Sequence, residues 1–205
     1  MTPVALKARR APRQQRSSNT VETILDAAAR VLEDAGLEGF NTNAVARRAG
    51  VSVGSLYQYF PGKQALVAEL SRRQAADLQA ALSEAAERGR GQPLKQALWL
   101  LASAAIDWQT RRPVLARNLD RFEETLTLDT DARGTTGAIR DQLAHVFQSR
   151  WPGAAPEAIA VVADDCLAIS RGLIDAAVSR GPVDARLEAG MVAAFIGYLS
   201  TAGLQ

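Results

Sequence analysis

Apolar residues in this chain recur at spacings of three and four between clusters of glycine and proline at 89–93, 133–137, 151–156 and 181–182, and no segment alternates as a strand would. That periodicity predicts an all-α fold of about nine helices. With 205 residues and 47% hydrophobic content, the helices can bury a real core, as one larger domain or as a small domain joined to a medium one. The longest apolar run, 97–106, lies between Lys95 and Asp107 and falls well short of the roughly 20 residues of a membrane helix.

The first helices are marked by their ends. Asn19 followed by Glu22 fits a capping box, and Ile24, Leu25, Ala28, Val31 and Leu32 form the buried stripe of a helix that Gly36 stops. Asn41 or Thr42 can cap a second, short helix with Val45, Ala46 and Ala49 facing inward. Gly50 suits a left-handed turn, and Ser52 caps a third helix. Two short helices across a tight glycine turn make a helix-turn-helix, whose second helix enters the major groove of DNA. At 100° per residue, Val53, Leu56 and Phe60 would point into the core, leaving Gly54, Ser55 and Gln58 on the opposite face with Tyr57 and Tyr59 on its flanks. Gln58 offers a donor and an acceptor to an adenine edge, Gly54 permits close approach, and the tyrosine hydroxyls can reach phosphates. The alternative is a helical hairpin with ordinary surface residues.

Charge supports the first reading. The net charge is +2, but residues 1–63 hold 9 Lys and Arg against 5 Asp and Glu, so the basic excess sits at one end. Lys7, Arg9, Arg10, Arg13 and Arg16 precede any acidic residue and read either as a flexible basic arm over 1–17 that lies along phosphates or as a solubilising tail.

The run ILDAAARVLEDAGLEGFNTNAVARRAGVSVGSLYQYFPGKQAL, residues 24–66, resembles the DNA-binding domain of the TetR family of bacterial transcriptional regulators. Gly50, Val51, Ser52, Gly54, Leu56, Tyr57, Tyr59, Phe60 and Lys63 carry the match; Phe40 departs from it and is expected to be buried against the first helix. The resemblance implies phosphate contacts from Thr42, Tyr57, Tyr59 and Lys63 and base readout around Ser52, Ser55 and Gln58. Asn43 and Gly54 complete the candidate DNA-binding set. Lys63, opening the fourth helix, also fits an anion site at a helix N-terminus. The expected organisation is an arm at 1–17, a three-helix DNA-binding domain at 18–63, and a larger helical effector-binding and dimerisation domain at 64–205.

In the larger part, helices are expected at 63–87, 93–109, 113–126, 136–150, 157–180 and 184–202. Ile159, Val162, Cys166, Ile169 and Leu173, with Ala176 in the same run, form one stripe; Leu187, Met191, Ala194 and Tyr198, running on to Ala202, form another. Both could be intramolecular core, whereas the resemblance implies a four-helix homodimer interface in which Cys166 is packing. Trp99, Trp108 and Phe122 fall where the resemblance places a ligand cavity, with Gln109, Arg117 and Arg121 as polar partners, although core packing explains the aromatics as well.

No catalytic, metal or cofactor site is expected. His145 is the single histidine, no phosphate loop, dinucleotide fingerprint or nucleophile elbow occurs, and the adjacent pairs Glu123-Glu124 and Asp164-Asp165 point to different helix faces and read as solvated. One cysteine excludes an intramolecular disulfide, and the basic N-terminus lacks an apolar stretch of the secretory kind, which favours the cytoplasm. The resulting expectation is a homodimeric regulator, a repressor on a palindromic double-stranded operator, released by an unknown small-molecule effector. A constitutive DNA-coating protein is the alternative from another class; an enzyme with an appended DNA-binding module has no catalytic residues behind it.

Overall fold

A computed structural model of the chain describes residues 15–125, 133–181 and 185–203. Among these residues the chain is helical with no strand: α1 (Gln15–Gly39), α2 (Thr42–Ala49), α3 (Val53–Tyr59), α4 (Lys63–Gly89), α5 (Leu94–Arg111), α6 (Pro113–Thr125), α7 (Arg133–Arg150), α8 (Pro156–Arg180) and α9 (Ala185–Thr201). Residues 1–14 of the basic arm and the start of the last helix at 184 lie outside the described residues, as do the Glu123 and Glu124 side chains, whereas residues 15–17, expected in the arm, already belong to α1.

Two compact units divide the chain, Met1–Gln74 with Arg112–Ala132, and Ala75–Arg111 with Arg133–Gln205. The first unit is therefore not the contiguous stretch ending at residue 63 that local patterning suggests. Its core joins Ile24, Leu25, Ala28 and Leu32 of α1 to Phe40, Val45, Ala46, Leu56, Phe60 and Leu66, and then to Leu115, Leu119 and Phe122 of α6. Helix α6 belongs there because its apolar stripe is covered by α1. The Asn118 amide also donates to the Leu32 carbonyl at 2.8 Å, and the Arg112 guanidinium meets Glu33 through two hydrogen bonds of 2.8 and 2.7 Å. Phe40 is 2% exposed, as expected of a residue packed in this core.

The start of α1 corrects the capping-box reading. The helix is already formed at Gln15, Asn19 lies within it and accepts the Thr23 hydroxyl through its backbone carbonyl at 2.8 Å, and the Glu22 carboxylate turns to Arg73 of α4 instead of capping. This Arg73 pairing holds the Glu22 carboxyl below its usual pKa. Gly36 does break the helix, at φ 62°, but a last helical stretch follows it to Gly39.

The second unit packs Leu98, Leu101, Ala102 and Ile106 of α5 against Phe147 of α7, Ile159, Val162, Ala163 and Cys166 of α8, and Met191, Val192 and Phe195 of α9. Burial, with Asp165 beside it, pushes the Cys166 thiol up to about 12, so at neutral pH it is an uncharged packing group.

Candidate DNA interface and effector region

The turn chemistry builds α2 and α3 as the residue types require. Asn41, in extended conformation, accepts the Ala44 amide at 2.9 Å through its side chain and so caps α2, leaving Thr42 as the first helical residue. Gly50 sits at φ 68° and ψ 26°, the left-handed region where a Cβ is strained, and the Val51 amide closes back on the Ala46 carbonyl at 3.0 Å. Ser52 caps α3 by accepting the Ser55 amide at 3.0 Å. The Arg48 side chain binds Asp34 at 2.6 Å and ties α2 to α1.

Leu56 and Phe60 are fully buried, so the rotation of α3 is set by the core of the first unit. Gln58 and Gly54 are exposed, Tyr59 is half-buried, and Lys63 is exposed at the start of α4. Tyr57 is 41% exposed, with its hydroxyl 3.3 Å from the Thr42 hydroxyl, so these two candidate phosphate contacts are neighbours on one flank. Asn43 is exposed on α2. Two details differ from expectation. Val53 is not core but 37% exposed, because the first residue of a short helix projects past the layer that buries Leu56 and Phe60. The Ser52 and Ser55 hydroxyls lie 2.8 Å apart, and Ser55 is half-buried, so both groups are engaged in the cap.

The expected effector residues do not fall in one unit. Trp99, Trp108 and Gln109 are half-buried residues of α5 in the second unit, and both tryptophans pack against its core. Arg117, Arg121 and Phe122 are in α6 of the first unit; the two arginines are exposed and Phe122 is buried in that unit's core. A contiguous reading could not see this, because α5 and α6 are neighbours in sequence with opposite packing partners. Pattern reading also missed a polar pair in the second unit, the Ser103 hydroxyl donating to Glu188 at 2.8 Å between α5 and α9.

The dimer stripes need a similar correction. Ile159, Val162, Cys166, Leu187 and Met191 are buried within a single chain and have no surface to offer a second copy. Ile169, Leu173, Ala194 and Tyr198 are half-buried. The Tyr198 hydroxyl donates to Asp165, which is therefore not simply solvated, and this bond raises the phenol to about 12. The exposed faces of α8 and α9 instead carry the small or apolar Val161, Ala168, Gly172, Ala193, Ile196 and Gly197 among charged residues such as Asp164, Arg171 and Asp175. A three-and-four spacing buries one stripe and exposes the next one round, and sequence alone does not say which is which.

His145 is exposed, and among the described residues no group of His, Cys, Asp and Glu is placed to hold a metal ion. No described helix is long and apolar enough to cross a membrane.

A helix-turn-helix with a buried Leu56/Phe60 face and an exposed Tyr57/Gln58 face, in a chain whose other helices form a second unit, has the layout of the helix-turn-helix class of DNA-binding proteins. Residues 24–70 match the family described as bacterial regulatory proteins, tetR family, and residues 93–199 match the tetracyclin repressor-like C-terminal domain. The chain belongs to the TetR family. Similar proteins include the HTH-type transcriptional regulator BetI of Burkholderia ambifaria (strain MC40-6), 32% identical over 92 residues, covering 45% of this chain and 47% of that one. The HTH-type transcriptional repressor KstR of Mycolicibacterium smegmatis is 34% identical over 98 residues, covering 48% of this chain and 47% of that one. The chain thus spans about half the length of the curated relatives it matches. A solved structure from Pseudomonas aeruginosa PAO1 shares the fold at TM-score 0.75 and 19% identity, with 98% of this chain and 96% of that chain covered.

Proposed function

We propose that this TetR-family regulator is a cytoplasmic repressor that binds a palindromic operator as a homodimer and leaves it when a small molecule binds the helical domain that begins within α4. The observation that carries the DNA half of this reading is the rotation of α3: burying Leu56 and Phe60 leaves Gln58 outward and sets Tyr57 beside Thr42 on one flank. The relative KstR, named a repressor, supports the direction of regulation.

Support for the dimer comes from the exposed α8 and α9 faces. A Cβ built on Gly172 or Gly197 meets nothing within 4 Å, and Val161 at 58% exposure and Ile196 at 36% are apolar side chains that the single chain leaves in water. Small and apolar residues of this kind allow helices of two copies to approach closely. Two dyad-related α3 helices would then address major grooves about 34 Å apart.

Effector action is proposed to run through α4, whose residues up to Gln74 belong to the first unit and whose remainder belongs to the second. Ligand bound beside Trp99, Trp108 and Gln109 would bias α4 and spoil the groove spacing. A coupling of about 1–3 kcal/mol, or roughly 5- to 150-fold in operator affinity, is typical of such switches.

A genome-wide map of bound sites tests the reading. A few palindromes beside operons support it, and dispersed binding would instead mean a DNA-coating protein. On such an operator, Gln58→Ala is expected to relax discrimination at one or two positions by about 1–3 kcal/mol. Lys63→Ala should weaken every sequence and lower the salt slope by about one. Unchanged relative affinities across operator variants would remove Gln58 from the readers.

A further inference from the structure

Five large hydrophobic side chains are exposed among the described residues, and two of them, Val53 and Tyr57, sit on the seven-residue α3. Tyr57 has a polar tip, placed against Thr42. Val53 has none, and its isopropyl group, 37% exposed at the start of the recognition helix, offers an apolar surface there. The polar groups of its neighbours are engaged with one another at that end. The Ser52 and Ser55 hydroxyls face each other at 2.8 Å, Ser52 also takes the Ser55 amide, and Gly54 has no side chain. In this motif it is the N-terminal residues of the second helix that reach base edges. Val53 is also one helical turn before Tyr57, so the two exposed hydrophobic side chains are neighbours on the surface of α3.

Base edges in the major groove are mostly donors and acceptors; the apolar feature among them is the C5 methyl group of thymine. We propose that Val53 reads a thymine methyl in each operator half-site, so that specificity at that base comes from apolar contact, while Gln58 supplies hydrogen-bonded readout elsewhere. This inference rests on the operator-binding reading above. It replaces the hydroxyl readers Ser52 and Ser55 at the N-terminal end of α3 with an aliphatic one.

Replacing thymine by deoxyuracil removes that methyl and nothing else. The test takes an operator selected by the purified full chain from random duplexes and substitutes deoxyuridine for each thymidine in turn. For the parent protein, one thymine per half-site should show a loss of about fourfold in affinity, the amount expected for burying one methyl-sized group. Val53→Ala should bind both versions of that site equally while keeping its Gln58-dependent preferences, and Val53→Ile should retain the sensitivity. Because Val53 is 37% exposed at a helix end, all three proteins should stay folded at the temperature of the binding assay, which thermal melts check. Equal parent affinity for every deoxyuridine duplex, or a sensitive position that survives in Val53→Ala, would overturn the assignment. A parent that selects no sequence at all would sink the operator reading itself, and this inference with it.

Discussion

Phe60→Ala is expected to lower the stability of the first unit by about 3–5 kcal/mol, because it leaves a large cavity where a fully buried ring joins the end of α3 to the rest of the core. A loss of that size is a large fraction of the roughly 5–15 kcal/mol that stabilises a typical domain, so operator binding should fail with the fold. Tyr57→Ala, on the exposed flank of the same helix, should change stability by no more than about 0.5 kcal/mol. The readout matters. Trp99, Trp108 and Trp151 all lie in the second unit, so tryptophan fluorescence would report the wrong part of the chain. Hydrogen exchange at the amides of α1 to α3 is the suitable measurement. Amides there that remain as protected in Phe60→Ala as in the parent would mean that this ring is not part of a cooperative core.

Ile196→Arg should abolish the proposed homodimer while leaving the single chain folded. Its side chain is already 36% exposed in the single chain, so the arginine can be solvated there, yet it would be forced into an apolar seam if a second copy packed on α8 and α9. Operator affinity should then fall by roughly 100- to 10,000-fold, since two half-sites could no longer be engaged together. Sedimentation velocity on the variant and the parent gives the answer, and a variant that stays dimeric moves the interface elsewhere. Ile169→Arg and Leu173→Arg are poorer tests, because both side chains are half-buried and a charge there would disturb folding and assembly at once.

Residues whose role depends on their nearest neighbours in the chain were readable without coordinates. Asn41, Gly50 and Ser52 act through amides within a few residues, so residue type and spacing determine the cap, the left-handed turn and the second cap, and with them the helix-turn-helix. The burial of Leu56 and Phe60 follows from the same local periodicity, and Gln58 and Tyr57 are left outward by default. Val53 failed that logic because a helix end outruns the layer packed against its middle. Asn19 failed because a capping box is only a local option, and Arg73, 51 residues from Glu22 in the chain, competes for the same carboxylate.

Tertiary packing decided everything that depends on which stripe meets which partner. Local sequence marks α6 as amphipathic but does not say that its Leu115, Leu119 and Phe122 are claimed by α1, which removes Phe122 from the aromatic set of α5 and redraws the units across the chain. Along α8 and α9 apolar and small residues occur on more than one face, so periodicity alone could not choose between the stripe of Ile159, Cys166 and Met191 that the single chain buries and the stripe of Val161, Ile196 and Gly197 that it leaves bare. The choice belongs to the helices packed against them. Hydrophobic spacing states that a face must be covered, and only the arrangement of distant segments states by what.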